Sequence, residues 1–271
     1  MNQIKTFCTT QIGFSHLHSK KRCQDHSSSY SAPERDIITA CDGHGGDIYV
    51  RSHRGSRFAS IAVTRVLLSL TPSDLRCDDI LDHIRLNTLC NWNELVNRDI
   101  ARFKLRKYET DELDEQQLKL LKETPVKAYG STLSGAAVIG GKIVCVSIGD
   151  GGVFAFKNGE LFEVFDNSDE PMGNVTHSLC SEDSFEHIRA KILDLNSVDG
   201  VLLCTDGVLN PYRTLENFNN AFVKPTVRHL ICKQDRQVSD FIELLGRKSG
   251  VGDDVSLAVM LKTTTRECYY K

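Results

Sequence analysis

One pattern constrains this chain more than any other: a short apolar run joined to aspartate, written three times. Ile37 to Cys41 runs into Asp42-Gly43, Val201 to Cys204 runs through Thr205 into Asp206-Gly207, and Asp253-Asp254 opens onto Val255 to Leu261. Short continuous apolar runs bounded by turn residues read as strands buried on both faces. Asp42-Gly43 and Gly45-Gly46 are also turn dipeptides, and it is the two later copies that favour a functional reading. If the three strands lie side by side, with the last antiparallel to the other two, their acidic ends meet at one edge. Asp150, at the end of Ile143 to Ile148, can join them. Carboxylates crowded in this way raise one another's pKa, and a bound divalent cation keeps them ionised. Oxygen-only ligation suits Mg2+ or Mn2+ rather than zinc. Two such ions about 3.5–4 Å apart would hold a bridging hydroxide for in-line attack on phosphorus. Gly43 lets its carbonyl approach an ion, and His44 can exchange a proton near neutral pH.

The totals remove competing classes. The chain has 271 residues with a formal net charge of -3, so no basic excess points to nucleic acid. Its ten cysteines form no Cys-x-x-Cys pair, which argues against zinc ribbons and thioredoxin-like sites. No cysteine precedes an arginine by six positions, and no Gly-x-x-x-x-Gly-Lys-Ser/Thr occurs. Cysteine-nucleophile phosphatases and P-loop enzymes are therefore disfavoured. Scattered thiols, the lack of an apolar segment near the start and the lack of an 18-residue apolar run predict a cytoplasmic protein with no membrane span. The thiols at Cys41, Cys145 and Cys204 fall inside predicted strands and read as core residues.

Along the chain, Ile4 to Phe14 reads as an opening strand and Ser15 to His26 as a polar loop with three consecutive cations, Lys20-Lys21-Arg22. The spacing of Phe58, Ile61, Ala62, Val66 and Leu70 predicts a helix within 47–70, and a second apolar stripe predicts another over 78–104. Residues 106–127 are highly charged and read as an exposed helix or loop. Beyond Tyr129 the pattern turns to strands. Hairpins are expected at Gly140-Gly141 and Asn158-Gly159, with further strands at 175–179 and 184–190. A helix is expected at 236–247 and a closing strand at 255–261. No repeat or linker divides the chain, so residues 1–271 read as one domain.

Five short motifs occur in a fixed order: Asp-Gly-His-Gly-Gly (42–46), Gly-Ser-Thr (130–132), Ile-Gly-Asp (148–150), Leu-Cys-Thr-Asp-Gly (203–207) and Gly-Asp-Asp-Val-Ser (252–256). Together they resemble the motifs of the PP2C family of metal-dependent protein serine/threonine phosphatases. Gly-x-Ser-His and Cys-Gln-Asp near the start, Ile-Gly-Asp-Gly-Gly, and Asn174-Val-Thr-His followed by Ser181-Glu-Asp resemble its bacterial PphC-like subgroup. The resemblance spans about residues 12–261.

That resemblance implies an α+β fold, a sandwich of two antiparallel sheets flanked by helix pairs in four αββα layers. It implies two Mn2+ or Mg2+ ions and a third, looser one. Asp42 would bridge two metals, the Gly43 carbonyl and Asp25 would serve the second, Asp206 and Asp253 the first, and Asp150 the third. His44 matches a histidine proposed as general acid for the leaving alkoxide. Lys20 stands where many members carry a phosphate-binding arginine, a role that Arg22 can take instead. Gln24 replaces a usual glutamate, Asp254 replaces a usual asparagine and competes with Asp253, and Gly151-Gly152 replaces a common Ser-Arg.

The expected function is hydrolysis of phosphoserine and phosphothreonine in proteins by a monomer paired with a Ser/Thr kinase in signalling. Two rivals stand beside it. One is a non-catalytic scaffold or sensor that binds a phosphoprotein. The other is a phosphoesterase acting on small molecules.

Overall fold

The structure, a computed structural model, describes residues 4–165, 176–247, 250–264 and 269. The strands are β1 (Ile4–Gln11), β2 (His26–Ala32), β3 (Arg35–Cys41), β4 (Leu133–Ile139), β5 (Lys142–Ile148), β6 (Gly152–Lys157), β7 (Glu160–Glu163), β8 (Arg189–Asp194), β9 (Gly200–Cys204) and β10 (Val255–Lys262). They form two antiparallel sheets, ordered β1-β10-β9-β6-β7 and β2-β3-β4-β5-β8. The helices are α1 (Phe14–Ser19), α2 (Ser52–Ser69), α3 (Ile80–Arg102), α4 (Lys107–Thr110), α5 (Glu115–Glu123), α6 (Ser184–His187), α7 (Asp206–Leu209), α8 (Leu215–Phe218), α9 (Lys224–Ile231) and α10 (Asp235–Gly246).

Strand alternation explains both the layering and the unbroken apolar runs. Successive side chains point to opposite faces, and here both faces are covered. From β3, Ile38 and Ala40 enter the space between the sheets, where they meet Ala136, Cys145, Val201, Leu203, Ala258 and Met260. Ile37 and Cys41 face the other way, onto α2 and α3 through Ala59, Val63, Ile84 and Trp92. On the other sheet, Leu202, Cys204, Leu257 and Val259 pack beneath Val227, Leu230, Val238 and Ile242 of α9 and α10. The result is three apolar layers between four structural layers, the αββα sandwich. Cys41, Cys145 and Cys204 are buried.

Several expectations change. β9 and β10 are antiparallel neighbours as anticipated, but β3 belongs to the other sheet. The three strands therefore do not lie side by side; β3 faces β9 and β10 across the sandwich. The opening strand stops at Gln11, and Phe14 to Ser19 coil into α1 within what reads as strand end and loop. The strand expected at 184–190 is a helical turn, α6, followed by β8. Of the strand expected at 175–179, Val175 lies outside the described residues, as does Asn174 of the Asn-Val-Thr-His motif, and residues 176–179 are not strand. The helices between Asp206 and Ile231 carry no counterpart in the sequence reading. Both expected hairpin turns form, with Gly141 and Gly159 at positive φ. Among the described residues, no helix is long and apolar enough to cross a membrane.

Candidate active site

The acidic residues gather at one end of the sandwich because of where the strands stop. Asp42 follows β3, Asp150 follows β5, Asp206 follows β9, and Asp253 precedes β10. With Gly43 and His44 they line one cavity of about 180 Å³, completed by His16, Gln24, Gly45, Thr176 and Asp254. Asp25, just before β2, lies buried behind Asp42, with the two carboxyls within hydrogen-bonding reach.

The Asp42-Gly43-His44 turn is held by the Gly-Ser-Thr motif. The Asp42 N–H donates to Thr132 Oγ1 at 3.0 Å. The Thr132 N–H donates back to the Asp42 carbonyl at 2.9 Å, and the His44 N–H donates to the Gly130 carbonyl at 3.1 Å. Residues 130–132 thus extend the β3–β4 pairing past the strand ends, through a bridge between Gly43 and Ser131. Gly43 must lack a side chain, since a Cβ there would meet the Gln24 and Ser52 carbonyl oxygens at 2.7 Å. His44 sits edge-on to Tyr49, with ring centroids 4.9 Å apart.

Asp253 and Asp254 separate by their partners. Asp254 is buried, and its carboxylate accepts from the Gly13 N–H at 2.7 Å, the Gln24 N–H at 2.6 Å and His16 Nδ1 at 2.8 Å. It staples α1 and the approach to β2 onto the start of β10. Asp253 is exposed toward the cavity and, among the described residues, accepts only from the N–H of its neighbour Asp254, through Oδ1 at 2.8 Å. Thr205 plays a similar stapling part on β9, donating to Asp25 Oδ2 at 2.8 Å while accepting from the Ser256 N–H at 3.0 Å.

Electrostatic strain is concentrated here. Burial, and then the charges of Asp25 and Asp206, push the Asp42 carboxyl well above the ordinary aspartate range. Burial likewise raises Asp25. Asp206 is raised by burial and by Asp150. Burial lowers His44 against the pull of Asp150, which favours the neutral imidazole. Oxygen donors that are costly to ionise alone and that face one polar cavity are a donor set suited to hard divalent cations.

The predicted phosphate-binding cations are placed differently. Lys20 is the left-handed C-cap of α1, with φ 57°, and is exposed. It lines neither this cavity nor the adjoining one of about 360 Å³. The end of the helix turns it outward. Arg22 lines that adjoining cavity with its Nη1 3.3 Å from His53 Nε2, and the two cavities share Gln24 and Gly45. Two residues at the site belong to motifs noted in the sequence, Gly-x-Ser-His and Asn-Val-Thr-His, but the sequence reading gave neither a role. His16 was read as a loop histidine yet holds Asp254, and Thr176 Oγ1 donates to Asp150 Oδ2 at 2.7 Å.

Known proteins give the same picture. A family model described as protein phosphatase 2C matches residues 12–243. No curated protein sequence matches the chain. Among solved structures, a bacterial serine phosphatase aligns with TM-score 0.61 at 15% identity, covering 96% of this chain and 98% of that one. PppA, described as a key regulatory component of T6SS in Pseudomonas aeruginosa, aligns with TM-score 0.58 at 18% identity, covering 95% and 97%. The catalytic domain of the serine threonine protein phosphatase PstP, solved in complex with 2 manganese ions, aligns with TM-score 0.56 at 16% identity, covering 95% and 97%. The matched span takes in the motif-bearing turns at Asp42, Gly130–Thr132, Asp150 and Asp206, and the fold is shared from end to end: the chain belongs to the protein phosphatase 2C family of protein serine/threonine phosphatases.

Proposed function

We propose that the chain hydrolyses phosphoserine and phosphothreonine in proteins with the help of divalent cations, Mn2+ or Mg2+, held in the acidic cavity. The observation that carries this reading is the convergence of Asp42, Asp150, Asp206 and Asp253 from both sheets on one cavity. Bound cations would supply Lewis acidity there, neutralising phosphoryl oxygens and acidifying water. Asp42, Asp206 and Asp253 are the assigned ligands of the pair, aided by the Gly43 carbonyl and by Asp25, with Asp150 for a third ion. Asp253 is preferred to Asp254 because the Asp254 carboxylate is already committed to three donors.

His44 handles the proton. As a neutral imidazole it cannot protonate a leaving alkoxide, but an arriving phosphoryl dianion favours its charged form and so readies it as an acid. Arg22, in the adjoining cavity, is the better placed of the two predicted cations to meet the phosphoprotein. The substrate phosphoester is the product of a Ser/Thr kinase, which supports a paired kinase as partner. Among the described residues, no disulfide joins one cysteine to another, which supports a reducing, cytoplasmic setting. The same reading takes the active unit to be one monomeric domain.

The test is Mn2+-dependent hydrolysis of p-nitrophenyl phosphate and of a phosphothreonine peptide, with Asp206→Asn and Asp42→Ala as controls. Turnover of both substrates, lost in both variants together with Mn2+ binding, is expected. Mn2+ binding without turnover would indicate a scaffold, and turnover of the small ester alone would indicate another phosphoesterase. A fully active Asp42→Ala protein would overturn the assignment.

A further inference from the structure

Outside the acidic cavity, the described residues bring one other set of metal-binding side chains together. Donor atoms of His177, Asp183 and His187 all lie within 4.8 Å of one another. The two imidazoles stack, with centroids 3.4 Å apart and planes inclined by 16°. His187 Nε2 lies 3.1 Å from Asp183 Oδ2, across one turn of helix. We propose that these three residues form a second metal site, selective for a late first-row transition ion of the Zn2+ class.

The donor chemistry sets the class. Two imidazole nitrogens and one carboxylate match zinc and its neighbours, whereas Mg2+ prefers the oxygen-only cavity. Each imidazole offers a metal the in-plane lone pair of the ring nitrogen that carries no hydrogen. Asp183 is held below the ordinary carboxylate range, mainly by its bond to His187, and so stays ionised. The cation would take the place of the hydrogen between His187 Nε2 and Asp183; the imidazole then keeps one hydrogen at Nδ1 and any second proton passes to solvent, so binding strengthens as pH rises.

The segments that carry the ligands are held by their surroundings, and the two rings need only swing out of their stack to aim both in-plane lone pairs at one ion. On the His177 side, the Leu179 N–H donates to the Ser131 carbonyl at 3.0 Å, and Ser178 Oγ accepts from the Ser131 N–H at 3.1 Å. On the α6 side, Arg85 of α3 lies over the Phe185 ring, 4.6 Å from its centroid, and donates to the Phe185 carbonyl at 2.8 Å. Three protein ligands leave a position open for water or a partner ligand. Thr176, which holds Asp150, precedes His177 directly. An ion at this second site would therefore fix the residue next to a contact of the acidic cavity.

The test is titration of the full chain with Co2+ in the presence of excess Mg2+, which fills the oxygen-only cavity. Four-coordinate Co2+ with nitrogen ligands absorbs visible light far more strongly than octahedral Co2+ surrounded by oxygen. We expect one strongly absorbing equivalent that competes with Zn2+ and weakens as pH falls. His177→Ala and His187→Ala should each lose it, and Asp183→Asn should weaken it about tenfold, with circular dichroism unchanged in all three. The absence of that equivalent in the unaltered protein overturns the proposal. So does its persistence in the His177→Ala/His187→Ala double variant. The readout is independent of phosphatase turnover, so it stands or falls separately from the proposed function.

Discussion

Asp253 and Asp254 are adjacent and chemically identical, yet they do different work. Three donors converge on Asp254, while Asp253 faces the cavity. Sequence alone cannot divide such a pair, because the partners that decide it lie 230 to 241 positions away. The role of His16 went unassigned for the same reason although its motif was noted, and so did that of Thr176, whose bond to Asp150 spans 26 residues. The aspartates themselves were legible because each sits beside a strand end, where local pattern carries the signal. At this scale the proton role of His44 can be tested by leaving group. With His44→Gln, turnover of a phosphothreonine peptide should fall by roughly 10²- to 10³-fold. Turnover of p-nitrophenyl phosphate, whose phenolate leaves without a proton, should fall far less. Equal losses on both substrates, or loss of Mn2+ binding, would remove the acid role.

At the scale of elements, the strands, the β9–β10 pairing and the two hairpins were readable, but the sheet that takes β3 was not. Apolar runs identify β3, β9 and β10. Nothing in a run says which sheet receives it, and β3 pairs with β4, about a hundred positions on. The short helices from α6 to α8 span four residues each, too few for helical periodicity to show. The charged region after α3 hid Glu109, the partner of a buried anchor. Arg51, 2% exposed, makes a forked pair with Glu109 at 2.8 and 3.0 Å and donates to the Tyr129 hydroxyl at 2.7 Å. It also donates to the Phe103 and Lys104 carbonyls, at 2.8 and 3.0 Å. The Tyr129 hydroxyl in turn donates to Asp99 Oδ2 at 2.6 Å. Arg51→Ala should lower unfolding stability by about 3 kcal/mol, read as a reduced urea midpoint, because Glu109 and Tyr129 lose their buried partner. Arg51→Lys should recover only part of this, since it restores the charge without the fork.

For the whole molecule, the acidic cavity ties stability to pH. Asp25, Asp42 and Asp206 all have folded-state pKa values above that of a free aspartate. Between the unfolded value near ~3.9 and their raised values, the folded chain binds more protons than the unfolded one. Stability in a chelator should therefore be fully present below about pH 4 as far as these groups are concerned, and fall as pH rises through their raised values. The slope is about 1.4 kcal/mol per pH unit for each proton of difference. Saturating Mn2+ should flatten that slope, as thermal unfolding across pH 5–8 would show. A chelated protein whose stability does not fall over that range would contradict the crowding.

The placement of these acids has a mechanical consequence. Asp25, Asp42 and Asp150 adjoin strands of one sheet, while Asp206 and Asp253 adjoin strands of the other. Cations shared among them would act as a clasp at one end of the sandwich, adding to the Thr205–Asp25 and Gln24–Asp254 bonds and offsetting the like charges gathered there. The opposite end needs no ion: there Lys142 pairs with Asp194 at 3.0 Å and Lys262 donates to the Val198 carbonyl at 2.7 Å. Removing the ions would then do more than silence the chemistry: it would let the sandwich gape from the catalytic end, like a book whose clasp has been undone and whose spine still holds.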